Sequence, residues 1–267
     1  MKIAVFGQSS IGQRHARLLR EVGQDVLTCD PVQPADVESP SAMWKRGVGA
    51  VVIATPPATH LALMRAANAR GLPMLVEKPL ALVEQREEIR ATAWVVPVLV
   101  GYQWRYAPEL QMLLKQRSEW ATVWYTGPVD GRAAWVRRPR QGGGVLMEYS
   151  HALDLLLAVH GDRLPQQVFA MLGRRESSAS MCWIDETAMA TAYMTFDFPI
   201  HGSLTANGAT WRRQDSDLDA CYEAEIAHFL RCCRGDAKAD GLAQGLRVLD
   251  VVAAARRSHG QWVTVND

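Results

Sequence analysis

The chain has 267 residues, 48% hydrophobic and 21% charged, enough to bury the core of one large or two small domains and too apolar for a disordered chain. With 29 Lys and Arg against 28 Asp and Glu, the net charge of +1 excludes a global field that would draw in nucleic acid or anionic lipid. The longest apolar runs, 48–54 and 94–101, fall short of the roughly 18 to 20 residues that span a bilayer, so no membrane segment is expected. The first residues carry no long apolar stretch of a secretory signal, and the five cysteines show no paired spacing. A cytoplasmic protein with reduced thiols and no metal site is the expectation.

From residue 2 to about 100, short apolar runs alternate with segments of helical periodicity, the pattern of a parallel sheet wrapped by helices. Strands are predicted at 2–6, 25–29, 48–54, 73–76 and 97–100, each continuously apolar because both faces are covered, with helices at 11–22, 59–70 and 82–92 between them. A helix starting at Ser150 as its N-cap and running to about His160 follows a glycine run at 142–144. Beyond it, 168–172, 187–196 and 201–205 interleave polar and apolar residues, as in a sheet with one open face. Two amphipathic helices then carry Tyr222, Ile226, Phe229 and Cys233 on one stripe, and Leu242, Leu246, Leu249 and Val252 on another. The predicted fold is α/β: an N-terminal doubly wound Rossmann domain over 1–103, then an α+β domain over 104–267 on a mainly antiparallel open sheet.

Gly7-Gln8-Ser9-Ser10-Ile11-Gly12 joins the first strand to the first helix, where a dinucleotide pyrophosphate meets backbone N–H groups and the positive end of a helix dipole. Ser9 stands where glycine usually lets the backbone approach closely, so the fingerprint is incomplete, although a serine hydroxyl can donate in its place. Asp30 ends the second strand. A carboxylate there can accept from both adenosine ribose hydroxyls and repel a 2′-phosphate, which favours NAD and leaves NADP as the alternative; the competing reading is a turn aspartate before Pro31.

With Thr55-Pro56-Pro57-Ala58-Thr59-His60 after the third strand and Glu77-Lys78-Pro79 after the fourth, the sequence resembles the Gfo/Idh/MocA oxidoreductase family. The resemblance continues through Gly101-Tyr102-Gln103-Trp104-Arg105-Tyr106-Ala107-Pro108 and Gly142-Gly143-Gly144-Val145-Leu146-Met147-Glu148, and covers nearly the whole chain. Three departures stand out. The second domain is shortened relative to the family, with part of the sheet expected to be missing between Leu172 and Tyr222; Glu148 replaces a common aspartate, with His151 only three residues on; and Ser9 replaces a glycine. The resemblance implies a dehydrogenase that uses Gly7, Ser9, Ser10, Ile11, Gly12, Asp30, Thr55, Pro56, His60, Glu77 and Lys78 around the cofactor, while His60 reads equally as a helix-capping or packing residue.

Oxidising a secondary alcohol needs a hydride acceptor, a base for the hydroxyl proton and a donor beside the developing oxyanion. Lys78, at the carboxyl end of a parallel strand, and His151 are the candidates for the last two roles, and the sequence leaves open which takes the proton. His151 and Asp154 lie one helical turn apart and are expected to form a dyad, with Arg105 and Glu148 joining Lys78 and His151 around the substrate. For each there is a plain structural alternative: a surface lysine, a capped core helix, a solvated arginine. The arginines at 132, 137, 138 and 140 suit an anionic ligand or a solvated loop, and His15 reads as structural. The expected activity is hydride transfer between NAD(P) and a hydroxyl or keto carbon of a sugar, cyclitol or sugar derivative. An NAD-dependent glycoside hydrolase and a non-catalytic nicotinamide-binding protein are the alternatives. The expected partner is a small-molecule substrate, with a homo-oligomer suggested by the half-open sheet.

Overall fold

A computed structural model describes residues 1–130 and 134–265. The first half runs β1 (Lys2–Phe6), α1 (Ser10–Glu21), β2 (Asp25–Cys29), the single turn α2 (Pro40–Met43), β3 (Ala50–Ile53), α3 (His60–Asn68), β4 (Met74–Glu77), α4 (Arg86–Ala91) and β5 (Val98–Gly101). The strands form one parallel sheet in the order β2-β1-β3-β4-β5. Side chains alternate across it: Ile3, Val5, Ala50, Val52, Leu75 and Leu99 fill one face, and Phe6, Val51, Ile53, Met74, Val76 and Val100 the other. The chain leaves β1 toward β2 on one side and returns to β3 on the other. Their carboxyl ends therefore open the crevice where sheets of this kind hold ligands. The expected segments are all present, with ends shifted or trimmed by one or two residues, and 82–92 divides into a 3-10 turn followed by α4.

The second half runs α5 (Pro108–Lys115), β6 (Trp120–Thr126), the turn α6 (Val145–Glu148), α7 (Ser150–Val159), β7 (Gln167–Leu172), β8 (Ser178–Ile184), β9 (Met189–Thr195), β10 (His201–Ala206), β11 (Ala209–Arg212), α8 (Leu218–Arg234), α9 (Gly241–Ser258) and β12 (Trp262–Thr264). A seven-stranded sheet in the order β11-β10-β6-β9-β8-β7-β12 results, antiparallel except where β6 meets β9. The stretch between Leu172 and Tyr222 supplies β8 to β11. Every residue of α7 is buried, which suits a helix that is apolar nearly all round and lies on the inner face of this sheet.

Two helices from the end of the chain complete the first sheet. Asp217 caps α8 by accepting from the N–H groups of Asp219 and Ala220, and the helix then lays Tyr222, Ile226, Phe229 and Leu230 against Ile3, Val5, Leu75 and Leu99. α9 packs on both β5 and β7 and so spans the two sheets. The expected boundary at 103/104 divides the chain without dividing the core. Among the described residues no helix is long and apolar enough to cross a membrane.

Candidate functional site

The turn after β1 is built for close backbone approach. Gly7 has φ +90°, and a Cβ on it would lie 2.4 Å from the Ala54 carbonyl oxygen; one on Gly12 would lie 1.9 Å from the Gly7 oxygen. Ser9 is the N-cap of α1 yet makes no side-chain cap, and Ser9 and Ser10 are exposed, so the first-turn N–H groups and both hydroxyls face the open end of the helix. Gln8 instead turns inward, its N–H donating to Asp30 Oδ2 at 2.7 Å and its amide to the Gly7 carbonyl.

Asp30 combines the two readings its sequence position allowed. Oδ1 accepts from the N–H groups of Val32 (2.8 Å) and Gln33 (2.9 Å), and Oδ2 accepts from Gln8. Burial pushes this carboxyl up, but the three backbone donors outweigh it and hold the pKa below the ordinary value. Since a carboxylate offers about four lone-pair positions and three are filled, it has room for one ribose hydroxyl, not the expected two. It remains an anion, set against a 2′-phosphate.

Two of the expected cofactor contacts are corrected. His60 is fully buried, with Nδ1 3.1 and 3.2 Å from the carbonyls of Pro79 and Leu80 and Nε2 2.7 Å from that of Thr55. It ties the loop after β3 to the loop after β4 and touches nothing in the crevice. Burial lowers its pKa against the pull of the three carbonyls. Glu77 is buried as well, its carboxylate 2.7 Å from His15 Nε2 and beneath Gly101, where a Cβ would come within 3.1 Å of it. Both residues therefore shape the Thr55 and Lys78 loops from behind.

Lys78 follows through a cis Lys78–Pro79 bond. Its ammonium donates to the Glu148 carbonyl at 2.9 Å and lies 3.6 Å from the Glu148 carboxylate, joining β4 to the turn before α7. His151 stands in the first turn of α7, 7% exposed, its ring edge-on to Tyr102 at 5.7 Å. Nδ1 is sealed with no partner among the described residues, and no hydrogen bond among them engages Nε2. Burial, reinforced by the charges of Lys78 and Arg213, drives its pKa well below 6.5, so the ring is a neutral imidazole at pH 7.

The expected His151–Asp154 dyad is not formed. Asp154 turns away to Arg105, whose Nε and Nη2 lie 2.8–3.0 Å from its oxygens, and accepts from Gln244 Nε2 at 2.8 Å. Arg105 also reaches Asp162 at 2.6 Å and is thus enclosed by two carboxylates. Burial opposes its charge, but the two anions outweigh it and hold the guanidinium ionised. One helical turn places positions 151 and 154 on neighbouring rows, and the long arm of Arg105 claims the carboxylate first. Ser150 is likewise not the N-cap of α7: Tyr149 is, without a side-chain cap bond.

The site also holds groups that the sequence reading passed over. Trp104 donates to the Tyr125 hydroxyl at 2.9 Å, and Arg213 lies over the Trp104 ring at 5.6 Å. His15, Glu77 and Glu225 bring one ligand-capable atom each within 4.8 Å of one another, joining α1, β4 and α8 in the interior. Burial, and then the charge of Glu77, push the Glu225 carboxyl well above its usual range, so Glu225 is held as a neutral acid. Of the arginine group near the glycine run, Arg137 pairs with Asp130 at 2.6 Å on the surface, and Arg132 lies outside the described residues.

A turn shaped for a pyrophosphate, an ionised aspartate after β2 and a lysine just past the end of β4 together have the layout of a dinucleotide-binding crevice of the Rossmann type. Residues 1–96 match the family described as "Oxidoreductase family, NAD-binding Rossmann fold" (GFO_IDH_MocA). Residues 1–96 are thus similar to the NAD-binding Rossmann domain of the Gfo/Idh/MocA oxidoreductases. Similar sequences include the rhizopine catabolism protein MocA of Rhizobium meliloti, 32% identical over 130 residues. A myo-inositol dehydrogenase of Streptomyces leeuwenhoekii is 31% identical over 124. These stretches take in 42% and 40% of this chain but only 40% and 38% of the relatives, so the match spans about two fifths of their length. The whole fold is similar to GenD2 from gentamicin A biosynthesis, solved with NAD (TM-score 0.85, 19% identity, 99% of this chain and 96% of that one). It is also similar to the WlbA dehydrogenase of Bordetella pertussis, solved with NADH and UDP-GlcNAcA (TM-score 0.81, 21% identity, 98% of both chains).

Proposed function

We propose that the protein is an NAD-dependent oxidoreductase that transfers a hydride between nicotinamide and a CH–OH or C=O carbon of a sugar, cyclitol or related polyhydroxylated molecule. The carrying observation is that Lys78, at the carboxyl edge of the parallel sheet, bonds the turn three residues before the neutral His151 and its charge is felt at that ring. NAD, when bound, supplies the hydride acceptor. The glycines at 7 and 12 leave the cradle into which its pyrophosphate fits, and the serine hydroxyls at 9 and 10 add donors there.

The remaining steps belong to the chain's own residues. A substrate hydroxyl between Lys78 and His151 meets an ammonium donor that stabilises the developing alkoxide and an imidazole free to accept the proton. A base that is already neutral needs no prior deprotonation at pH 7, which assigns proton acceptance to His151 and oxyanion stabilisation to Lys78. Glu148 keeps the lysine aimed, and Asp154 with Arg105 fixes α7 from its far side. Replacing Lys78 with Ala is expected to leave NADH binding near normal and to lower turnover by at least about 100-fold. Fluorescence titration with NADH, run beside initial rates on a panel of sugars and cyclitols, checks it, and undiminished turnover removes Lys78 from the mechanism.

The outer face of the seven-stranded sheet carries Trp120, Trp124, Met171, Met189 and Trp262, each more than 40% exposed. Trp124 packs across the strands on Tyr193 at 4.8 Å, so several large apolar side chains stand outward on this one face. A second copy of this chain, sheet face to sheet face, is the cover we propose for it.

A further inference from the structure

Arg213 follows β11 at the mouth of the site, and its surroundings are those of a held cation. Its guanidinium carbon is 5.6 Å from the centroid of the buried Trp104 ring, and that indole is itself fixed by its bond to Tyr125. On β10, Gly202 gives the stack its space: a Cβ there would come 2.8 Å from the Tyr125 ring and 3.2 Å from Arg213 Cβ. Tyr125 packs at 5.3 Å on Tyr149, two residues before His151, and the charge of Arg213 is felt at both the Tyr125 hydroxyl and the His151 ring, so the stacked guanidinium lies on the His151 side of the aromatic floor.

The other cations around this centre have counter-ions. Arg105 is closed by Asp154 and Asp162, Arg256 by Glu176, and Lys78 lies 3.6 Å from Glu148. Arg213 has no carboxylate within 4 Å among the described residues. Held against an aromatic plane with only the Tyr125 hydroxyl beside it and no anion, beside a site that takes a polar molecule, the guanidinium keeps donors of its planar fork for the ligand. A neutral polyol offers such a group only neutral acceptors, whereas a carboxylate or phosphate takes two charge-assisted bonds.

Resting on the oxidoreductase reading above, we propose that Arg213 on its Trp104 platform is an oxyanion subsite, and that the substrate is an acidic sugar or cyclitol derivative bearing a carboxylate or phosphate. The site then discriminates against neutral polyols of the same shape, since these leave the arginine unsatisfied.

Calorimetric titration of the NADH-loaded full chain with matched neutral and acidic members tests this: glucose, glucuronate and glucose 6-phosphate; galactose and galacturonate; myo-inositol and its monophosphate. At least one acidic member is expected to bind ten-fold or more tighter than its neutral partner. Whether the uronates or the phosphates show the gain identifies the source of the anion. Arg213→Met is expected to abolish that preference and Arg213→Lys to keep part of it, a split that loss of packing alone does not produce. Acidic members binding no tighter than neutral ones throughout the panel, in the unmodified protein, overturns the proposal, and so does a preference that survives in Arg213→Met. An Arg213-dependent preference without NADH-linked turnover of any member keeps the subsite and removes the redox reading, so the two fail separately.

Discussion

The parallel sheet is covered on both faces, and the seven-stranded sheet on one. In the first, α1 and α8 lie on one side, α3 and α9 on the other, and two of those four helices come from the far end of the chain. In the second, α7 fills the inner face while tryptophans and methionines stand outward. A sheet completed by distant segments depends on the whole chain, whereas a sheet with one open face depends on what meets that face. The largest consequence concerns the first sheet. A fragment of residues 1–103 lacks α8 and α9 and exposes Ile3, Val5, Leu75 and Leu99, so it is expected to be insoluble or to lack a cooperative unfolding transition. A soluble, cooperatively unfolding fragment that binds NADH would show that the boundary at 103 is one of folding as well as of sequence.

Next in size is the buried ion pair that ties α7 to α9 and to the turn after β5. Asp154→Ala leaves Arg105 partly unpaired and removes the acceptor for Gln244, which predicts a loss of about 3–5 kcal/mol in denaturant unfolding. If Asp154 instead worked through His151, turnover would collapse while the midpoint stayed in place. Measuring both on one preparation separates the positioning role from the dyad.

The outward face of the second sheet is a smaller test. Trp124→Ser removes half of the Trp124–Tyr193 pair and is expected to change monomer stability by less than about 1 kcal/mol while weakening self-association. Sedimentation velocity across a concentration series reads that directly. A monomeric unmodified chain at all concentrations would leave the apolar face without the cover proposed for it.

These differences also explain what the sequence made legible. β1 to β5 stand out because strands buried on both faces are continuously apolar, and the Gly7–Gly12 turn because its spacing is local. β6 escapes notice because Trp120 and Trp124 point outward where polar residues mark an open face, and β8 because Ser178, Ser180 and Cys182 weaken its apolar signal. Lys78 and His151 meet through loops that the motifs already flanked. The partners of Asp154 come from 49 and 90 residues away, and no periodicity within α7 announces them. His60 and Glu77 sit inside recognisable motifs, yet only their burial shows that they act from behind the crevice.

Glu225 carries the smallest expected effect and the sharpest test of how α8 seats on the parallel sheet. It is fully buried beside Glu77, neither of its oxygens has a hydrogen-bond partner among the described residues, and burial with the neighbouring charge raises its pKa well above the usual value. With its folded pKa above the unfolded one, the folded state binds the extra proton. The stabilisation from that proton is complete below the unfolded value near 4.5 and is lost as pH rises through the folded value. Glu225→Gln keeps the shape of the neutral acid and removes the titration. Below about pH 4.5 its stability should lie within about 1 kcal/mol of the unmodified chain, and the variant should gain on that chain as pH rises. Urea unfolding from pH 4 to 9 measures the difference. A constant gap across that range would mean that Glu225 is ionised in the folded protein at all these pH values, and that burial beside Glu77 does not hold it neutral.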